Sequence, residues 1–178
     1  MEHIKRIKRE LAYEGSILKI YKDTMLIEED HQAVWDFIHH KGAAAVLAVN
    51  ENGEILMVRQ YRPATERKML ELPAGVVDSE EEDKAECARR ELEEETGYRA
   101  EHIEWLIRVN TTVAFCDEVV EIFYATGLTP TVQKLDDGEY IELCSYRLDE
   151  LVEMIFTGDI TDGKTIAGIL AYKVKYGL

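Results

Sequence analysis

In the run Arg90-Glu91-Leu92-Glu93-Glu94-Glu95-Thr96-Gly97, Glu91 and Glu95 stand four residues apart and Glu94 three beyond Glu91. On a helix those steps bring side chains to one side, so these carboxylates converge. Like charges at such spacing oppose one another by roughly 0.2–0.5 kcal/mol per pair. Late in a helix they also meet the negative end of the dipole. Two readings follow. The residues form a solvated acidic face, or hard divalent cations offset the repulsion, since Mg²⁺ takes oxygen ligands and sits between carboxylates and substrate phosphates. Periodicity alone leaves both open.

The element that must carry these groups is a helix preceded by a short loop from Gly75. Ser79-x-x-Glu82 has the spacing of a capping box, in which the Ser79 side chain accepts from the Glu82 N–H and the Glu82 carboxylate reaches back. Gly97 stands where a left-handed residue ends the helix. Ala85, Ala88, Leu92 and Cys87 supply an apolar stripe, so one face of the helix turns to a core. Met69 to Leu72 reads as a short strand entering Pro73-Ala74-Gly75, which lets the Ala74 carbonyl point at the same space as the helix carboxylates.

Other residues could bear on chemistry. Arg62, Arg67 and Lys68 form a local basic group, either scattered solvated charges or cations that meet phosphate, which Arg grips bidentately. Glu118 shares a face of the expected strand Asp117 to Ala125 with Val120, Ile122 and Tyr124, as an edge device or a site residue. Leu135-Asp136-Asp137-Gly138-Glu139 is an acidic turn. His39-His40 makes a poor metal pair, because adjacent residues on a strand face opposite ways.

Composition narrows the partners. The chain has 178 residues, 46% hydrophobic and 32% charged, which suits one globular domain with a genuine core. Its net charge of −15 argues against nucleic acid or an anionic membrane as a direct partner. An anionic substrate would need metal ions to mask the repulsion. Cys87, Cys116 and Cys144 are too scattered for a disulfide framework or a zinc site and suit a reducing cytosol. The charged N-terminus is no signal peptide, and the apolar run Ala43 to Val49 is too short to span a bilayer.

Along the chain, residues 1–40 read as extended segments with Gly15 and Asp23 as turns. Ser16 to Tyr21 alternates, as does Ala33 to Ile38 with Trp35 and Phe37 on one face. Such a small antiparallel sheet cannot bury both faces alone and must pack on the main domain or on a second copy. Gly42 to Val49, the Asn50-Glu51-Asn52-Gly53 turn and Glu54 to Gln60 are expected to form a hairpin. Strands over Ile103 to Val109 and Tyr140 to Tyr146 follow. Helices are expected over Leu148 to Phe156 and Thr161 to Tyr172. The predicted fold class is α/β (α+β mixed), a mixed β-sheet sandwiched between helices with a small N-terminal antiparallel sheet.

The string from Gly75 to Tyr98 resembles the Nudix box. Its second half matches from Arg90 to Gly97, with Tyr98 in the last apolar place; in its first half six residues rather than five separate Gly75 from Glu82. Glu82 keeps the seven-residue spacing to Arg90, while Glu81 lies at the motif's distance from Gly75. Gln60-Tyr61-Arg62, Leu70-Glu71-Leu72-Pro73-Ala74-Gly75, Phe115-Cys116-Asp117-Glu118 and the tail from Gly158 to Thr165 are similar to the ADP-ribose pyrophosphatase branch of the Nudix hydrolases. One departure is plain: the branch's Ser-Pro-Gly-Phe reads Thr112-Val113-Ala114-Phe115 here, without the Pro.

The resemblance implies a Nudix domain over 41–178 and an N-terminal β segment over 1–40 that joins two copies as a homodimer. It implies that Ala74 (by its carbonyl), Glu91 and Glu95, with Glu94 a weaker candidate, hold Mg²⁺ or Mn²⁺. Glu82 would pair with Arg90 and brace the loop, a structural role shared with Gly75 and Gly97. The general base would be Glu139, with Glu142 second and Glu94 also in the catalytic group. Arg62, Tyr61, Glu118 and Trp35 would hold the substrate, Glu118 through a ribose hydroxyl. The implied reaction is hydrolysis of a nucleoside diphosphate linked to a sugar, ADP-ribose first, by a cytoplasmic enzyme. Another nucleotide sugar (GDP-mannose, UDP-glucose) or a non-catalytic nucleotide sensor are the alternatives.

Overall fold

The computed structural model describes residues 3–15, 18–28 and 30–178, so the alternation expected at Ser16 and Ile17 lies outside the described residues. The chain divides into two compact units, Met1–Gly42 with Asn110–Val119, and Ala43–Val109 with Val120–Leu178.

In the first unit β1 (Ile4–Glu14), β2 (Lys19–Ile27) and β3 (His31–His39) form an antiparallel three-stranded sheet with β2 central. Gly15 turns the chain, its N–H donating to the Leu18 carbonyl. Asp23 is not a turn: it pairs with Arg9 and Trp35 in mid-strand and is buried. Arg9 makes that burial tolerable, its Nε and Nη2 donating to the two Asp23 oxygens at 2.7 and 2.6 Å. The same guanidinium lies 3.8 Å over the Phe37 ring. The 110–119 segment is tied to the end of β3, where the Ile38 N–H donates to the Phe115 carbonyl at 2.7 Å.

The second unit is built on β4 (Ala43–Ala48), in which every residue is buried. It lies parallel to β9 (Val119–Pro130) and antiparallel to β7 (Ala74–Val76), in a mixed sheet ordered β7-β4-β9-β8, with β8 at Tyr98–Asn110. A strand covered on both faces needs no polar alternation, which accounts for its unbroken apolar sequence. Ala43, Ala45 and Leu47 join a core with Leu151 of α2 (Leu148–Thr157) and Ile169 and Tyr172 of α3 (Gly163–Tyr176). Ala44, Val46 and Ala48 join another with Cys87, Ala88 and Leu92 of α1 (Lys84–Thr96). The sheet therefore lies between helices, as the element order predicted.

The expected hairpin does not form as a ladder. The Asn50–Gly53 turn is present, with Asn50 Oδ1 accepting from the Asn52 and Glu54 N–H groups. Beyond a bridge between Val49 and Ile55, however, β5 (Ile55–Arg62) leaves β4 and becomes the centre of a second sheet, β10-β5-β6, with β6 at Arg67–Glu71 and β10 at Ile141–Tyr146. Both strands are apolar enough to be buried, so each takes different partners. The strand expected from Asp117 starts at Val119 and runs to Pro130. No described helix is long and apolar enough to cross a membrane.

The capping box is also displaced. α1 begins at Lys84, and Asp83 caps it by accepting from the Ala85 and Glu86 N–H groups at 2.8 and 3.2 Å. An ionised Asp next to the first turn outcompetes Ser79 because it adds charge at the positive end of the dipole. Ser79 instead closes a turn, its carbonyl accepting from the Glu82 N–H. At the other end Gly97 has φ 71°, the left-handed cap its position predicted.

α3 is pinned to β5 and β6 by buried charge. Arg62 Nε and Nη2 donate to Glu71 at 2.7 and 2.8 Å, and Lys164 Nζ donates to Glu71 at 2.5 Å and to Asp162 at 3.0 Å. Burial alone would raise the Glu71 pKa, but these two cations hold it down to about 2. A depressed carboxylate stabilises the fold above its unfolded-state pKa and loses that contribution as pH falls through the folded value. From the ordinary value of 4.5 down to about 2, the loss is about 3 kcal/mol. Urea unfolding across this range should show that acid slope flattened in Glu71→Gln. The variant is also about 3–5 kcal/mol less stable near neutrality, where its cations lose their partner; an unchanged acid slope would place the lability elsewhere.

Candidate active site

α1 presents its carboxylates to β7 by the placement of its apolar stripe. With Cys87, Ala88 and Leu92 fully buried, the residues beside them turn toward the Ala74–Val76 segment. Glu95 is 4% exposed, and the Ala74 N–H donates to its Oε2 at 2.9 Å. Glu91 lies directly against Gly75: a Cβ there would stand 2.0 Å from Glu91 Oε1. Only glycine leaves room for that carboxylate. Glu94 is on the outer side of the group, with 42% of its side chain exposed.

Electrostatics set Glu95 apart. Burial, followed by the nearby charges of Glu91 and Glu139, pushes its pKa up to about 8 against the Ala74 N–H, which favours the charged form. Burial also raises Glu91, with Arg90 opposing and Glu94 and Glu139 adding to the rise. Arg90 is the hub of the outer ring. Its Nη1 donates to Glu91 at 2.7 Å and to Glu94 at 3.1 Å, and its Nε lies 3.5 Å from Glu82. Glu82 in turn accepts from the Asp78 N–H at 2.6 Å, which braces the loop before the helix. Glu81 is exposed.

β5 forms the opposite wall. Along one of its faces run Leu56, Val58, Gln60 and Arg62, beginning in the core shared with α1. Gln60 Nε2 donates to Glu139 Oε1 at 2.9 Å, so the acidic turn brings Glu139 within electrostatic reach of Glu91 and Glu95. Arg62 is committed to Glu71 and also feels the charge of Glu95. Tyr61 falls on the other face of β5 and is exposed. Glu142 pairs in register with Arg59, also on that other face, and lies 3.7 Å from Lys68. Of the base candidates, the fold gathers Glu139 with the buried carboxylates and turns Glu142 away.

Trp35 and Glu118 belong to the first unit. Trp35 is a half-exposed residue of β3. Glu118 precedes β9 rather than sharing its apolar face, accepts from Thr111 Oγ1 at 2.5 Å and lies 3.5 Å from His40 Nε2. The buried glutamate of β9 is Glu121, which accepts from Trp105 Nε1 and Arg108 Nε. Sequence reasoning missed that residue, and it also missed Glu71, Lys164 and Gln60. For Gln60 a signal existed, since Gln60 and Arg62 are two apart and share a strand face.

Among the described residues, no three His, Cys, Asp or Glu side chains are gathered into a ready-made metal cage. Oxygen donors from one or two carboxylates, with substrate phosphates, are the ligands that a small hard cation keeping several waters takes. Glu95 is buried and Glu91 half-buried, and burial together with their shared negative surroundings raises the pKa of both.

A methanol dehydrogenase activator from Bacillus methanolicus is 35% identical, the match covering 98% of this chain and 95% of that protein. The ADP-ribose pyrophosphatase of Bacillus subtilis (strain 168) is 33% identical over 97% of this chain and 91% of its own. A GDP-mannose pyrophosphatase from Yersinia enterocolitica is 30% identical over 98% and 97%. A solved structure of an ADP compounds hydrolase superposes with a TM-score of 0.85 at 18% identity, covering 97% of this chain and 94% of that chain, a likeness of fold. The NUDIX domain profile spans residues 39–168, taking in β4, the Gly75 loop, α1 and the acidic turn, and the chain belongs to that family.

Proposed function

We propose that this Nudix hydrolase cleaves the pyrophosphate bond of a nucleoside diphosphate linked to a sugar, with ADP-ribose giving AMP and ribose 5-phosphate as the preferred reaction. The observation that carries this reading is the buried Glu95 with the half-buried Glu91 on the same helix, left beside Glu139 in a protein of net charge −15. Such a site repels a polyanionic substrate unless cations enter with it. Nudix hydrolases generally use divalent cations, and relatives named for ADP-ribose and GDP-mannose match this chain over nearly its whole length.

Glu91, Glu95 and the Ala74 carbonyl are the groups that would hold Mg²⁺, or Mn²⁺ in its place, with Glu94 at the edge. Bound there, the metal would neutralise charge on the phosphate oxygens and lower the pKa of water. Glu139 takes the proton from the water that attacks phosphorus in line, acting as general base. Gly75 gives Glu91 its place against the backbone. Arg90 and Glu82 keep the loop and helix in register. Arg62, held against Glu71, faces the substrate as a fixed positive edge.

The N-terminal segment, residues 1–40, serves to join two copies, and the protein acts in the cytoplasm. Leu11 and Trp35 are exposed on one face of the three-stranded sheet, and a sheet that small gains stability by covering such a face. Light scattering on the purified chain should give the mass of a dimer, and Trp35→Asp with Leu11→Asp should give a monomer. A monomeric wild type would remove this assignment.

The reaction itself is tested with ADP-ribose, GDP-mannose, UDP-glucose and dinucleotides, each with Mg²⁺ and with EDTA. Metal-dependent release of AMP from ADP-ribose above the others is expected, with Glu95→Gln lowering kcat by about 10²-fold or more. Cleavage of another nucleotide sugar keeps the chemistry and changes the substrate. Tight binding without turnover makes the protein a sensor. Gly75→Ala is expected to push the Glu91 carboxylate aside and cost about 10²-fold in kcat, with little change in melting temperature. Full activity in that variant would free Glu91 of its role.

A further inference from the structure

We infer that Gln60 is a positioning residue for the reaction, its side-chain amide holding the Glu139 carboxylate in the orientation that lets Glu139 act. The inference rests on Glu139 being the general base. It begins with where Gln60 sits. β5 is the central strand of its sheet, and Gln60 is matched in register to Ile141 of β10 on one side and Met69 of β6 on the other. Its backbone is therefore fixed from both directions, whereas Glu139 lies on a turn closed by its own N–H donating to the Asp136 carbonyl at 3.0 Å. A rigid donor is meeting a carboxylate on a loop.

The contact itself has the character the task requires. Gln60 Nε2 donates to Glu139 Oε1 at 2.9 Å, while the other oxygen, Oε2, has the Asp136 N–H at the longer distance of 3.4 Å. One oxygen is anchored and the other is left weakly bound, open to accept a proton from water. The charge of Glu139 already raises both Glu91 and Glu95, so unassisted repulsion would drive the turn outward. A hydrogen bond opposes that drift. Because the amide is neutral, it does so without a fixed ion pair that would tie up the carboxylate. Arg62, two residues along the same face, illustrates the contrast: it is locked bidentately to Glu71 and leaves that carboxylate no free oxygen.

Gln60 also explains why the turn enters at this point of the sheet. Ile141 opens β10 opposite Gln60, so Glu139 stands two residues before the first ladder pair. The strand ladder sets the end of the loop, and the side chain of Gln60 sets its carboxylate.

The test uses the full chain with Gln60→Leu, which keeps size and removes the donor, with Glu139→Gln, and with both together, assayed with Mg²⁺ on ADP-ribose or on whichever nucleotide sugar of the panel turns over fastest. Gln60→Leu is expected to lower kcat by about 10²-fold with KM nearly unchanged, to keep the wild-type melting temperature, and to add nothing in the Glu139→Gln background. Gln60→Asn, whose amide is retained on a shorter arm, should recover part of the lost kcat. Equal losses from Gln60→Leu in both backgrounds would mean that Gln60 acts apart from Glu139 and would overturn the inference. So would an unchanged kcat in Gln60→Leu while Glu139→Gln is impaired, an outcome that leaves the base assignment standing. An unimpaired Glu139→Gln would instead remove Glu139 as the base and this role of Gln60 with it.

Discussion

The structure depends on keeping several carboxylates together, one of them where water barely reaches. Glu95 is 4% exposed and its pKa is pushed up to about 8 by burial and by its anionic neighbours. Left to themselves, such groups would separate or take up protons. What prevents separation is the packing behind them. Leu92, Ala88 and Cys87 lock the helix to β4, and β4 is held by β7 and β9 through backbone ladders that side-chain repulsion cannot reach. Gly75 then lets the backbone approach the Glu91 carboxylate where any side chain would collide with it. The stability of the hydrophobic layers is what makes a locally unfavourable charge arrangement possible.

The fixed cations nearby are distributed in a way that preserves this tension. Arg90 is shared among Glu91, Glu94 and Glu82, on the outer side of the helix. Arg62 and Lys164 converge on Glu71, a carboxylate of β6 that lies outside the helix group. Glu71 is consequently neutralised and holds α3 in place, and its pKa falls to about 2. The Glu95 carboxylate receives only a backbone N–H as a direct partner among the described hydrogen bonds. Two buried glutamates, close in the fold, are thus driven in opposite directions, one toward a permanent structural charge and the other toward a group that a mobile cation would stabilise.

Much of this was legible in the sequence, and the reasons differ by element. The unbroken apolar run at Ala43–Ala48 and the stripe on α1 report burial directly, so the layered fold and the buried side of the helix could be read from them. Gly97 could be placed because the left-handed cap is a local requirement. The errors arose where partners far apart in the chain decide the outcome. Asp23 reads as a turn residue until Arg9, fourteen positions away, is seen to pair with it. β4 and β5 read as a hairpin until β9 and β10 compete for their edges. Glu71 and Lys164 lie 93 positions apart, and nothing local marks either as half of a buried pair. The Asp83 cap is a nearer miss, since an acid stands one residue short of Lys84-Ala85, where the apolar stripe begins, and competes there with the Ser79 spacing.

The connection from Thr111 to Cys116 is held in place by contacts separate from those of the carboxylate group. It lacks a proline, which would have fixed its backbone. Its shape comes instead from hydrogen bonds: the Thr112 carbonyl accepts from the Phe115 and Cys116 N–H groups, and the Phe115 carbonyl accepts from Ile38. His39 Nδ1 hydrogen-bonds Asp117 at 2.8 Å, and Glu118 is held by Thr111. All of these partners lie within the first unit, whereas Glu91, Glu95, Glu139, Gln60 and Gly75 lie within the second. Val113 projects from this connection, 81% exposed and free of packing demands. Substitution there costs the fold little and leaves the carboxylate group untouched. The connection can therefore change without disturbing the acidic helix.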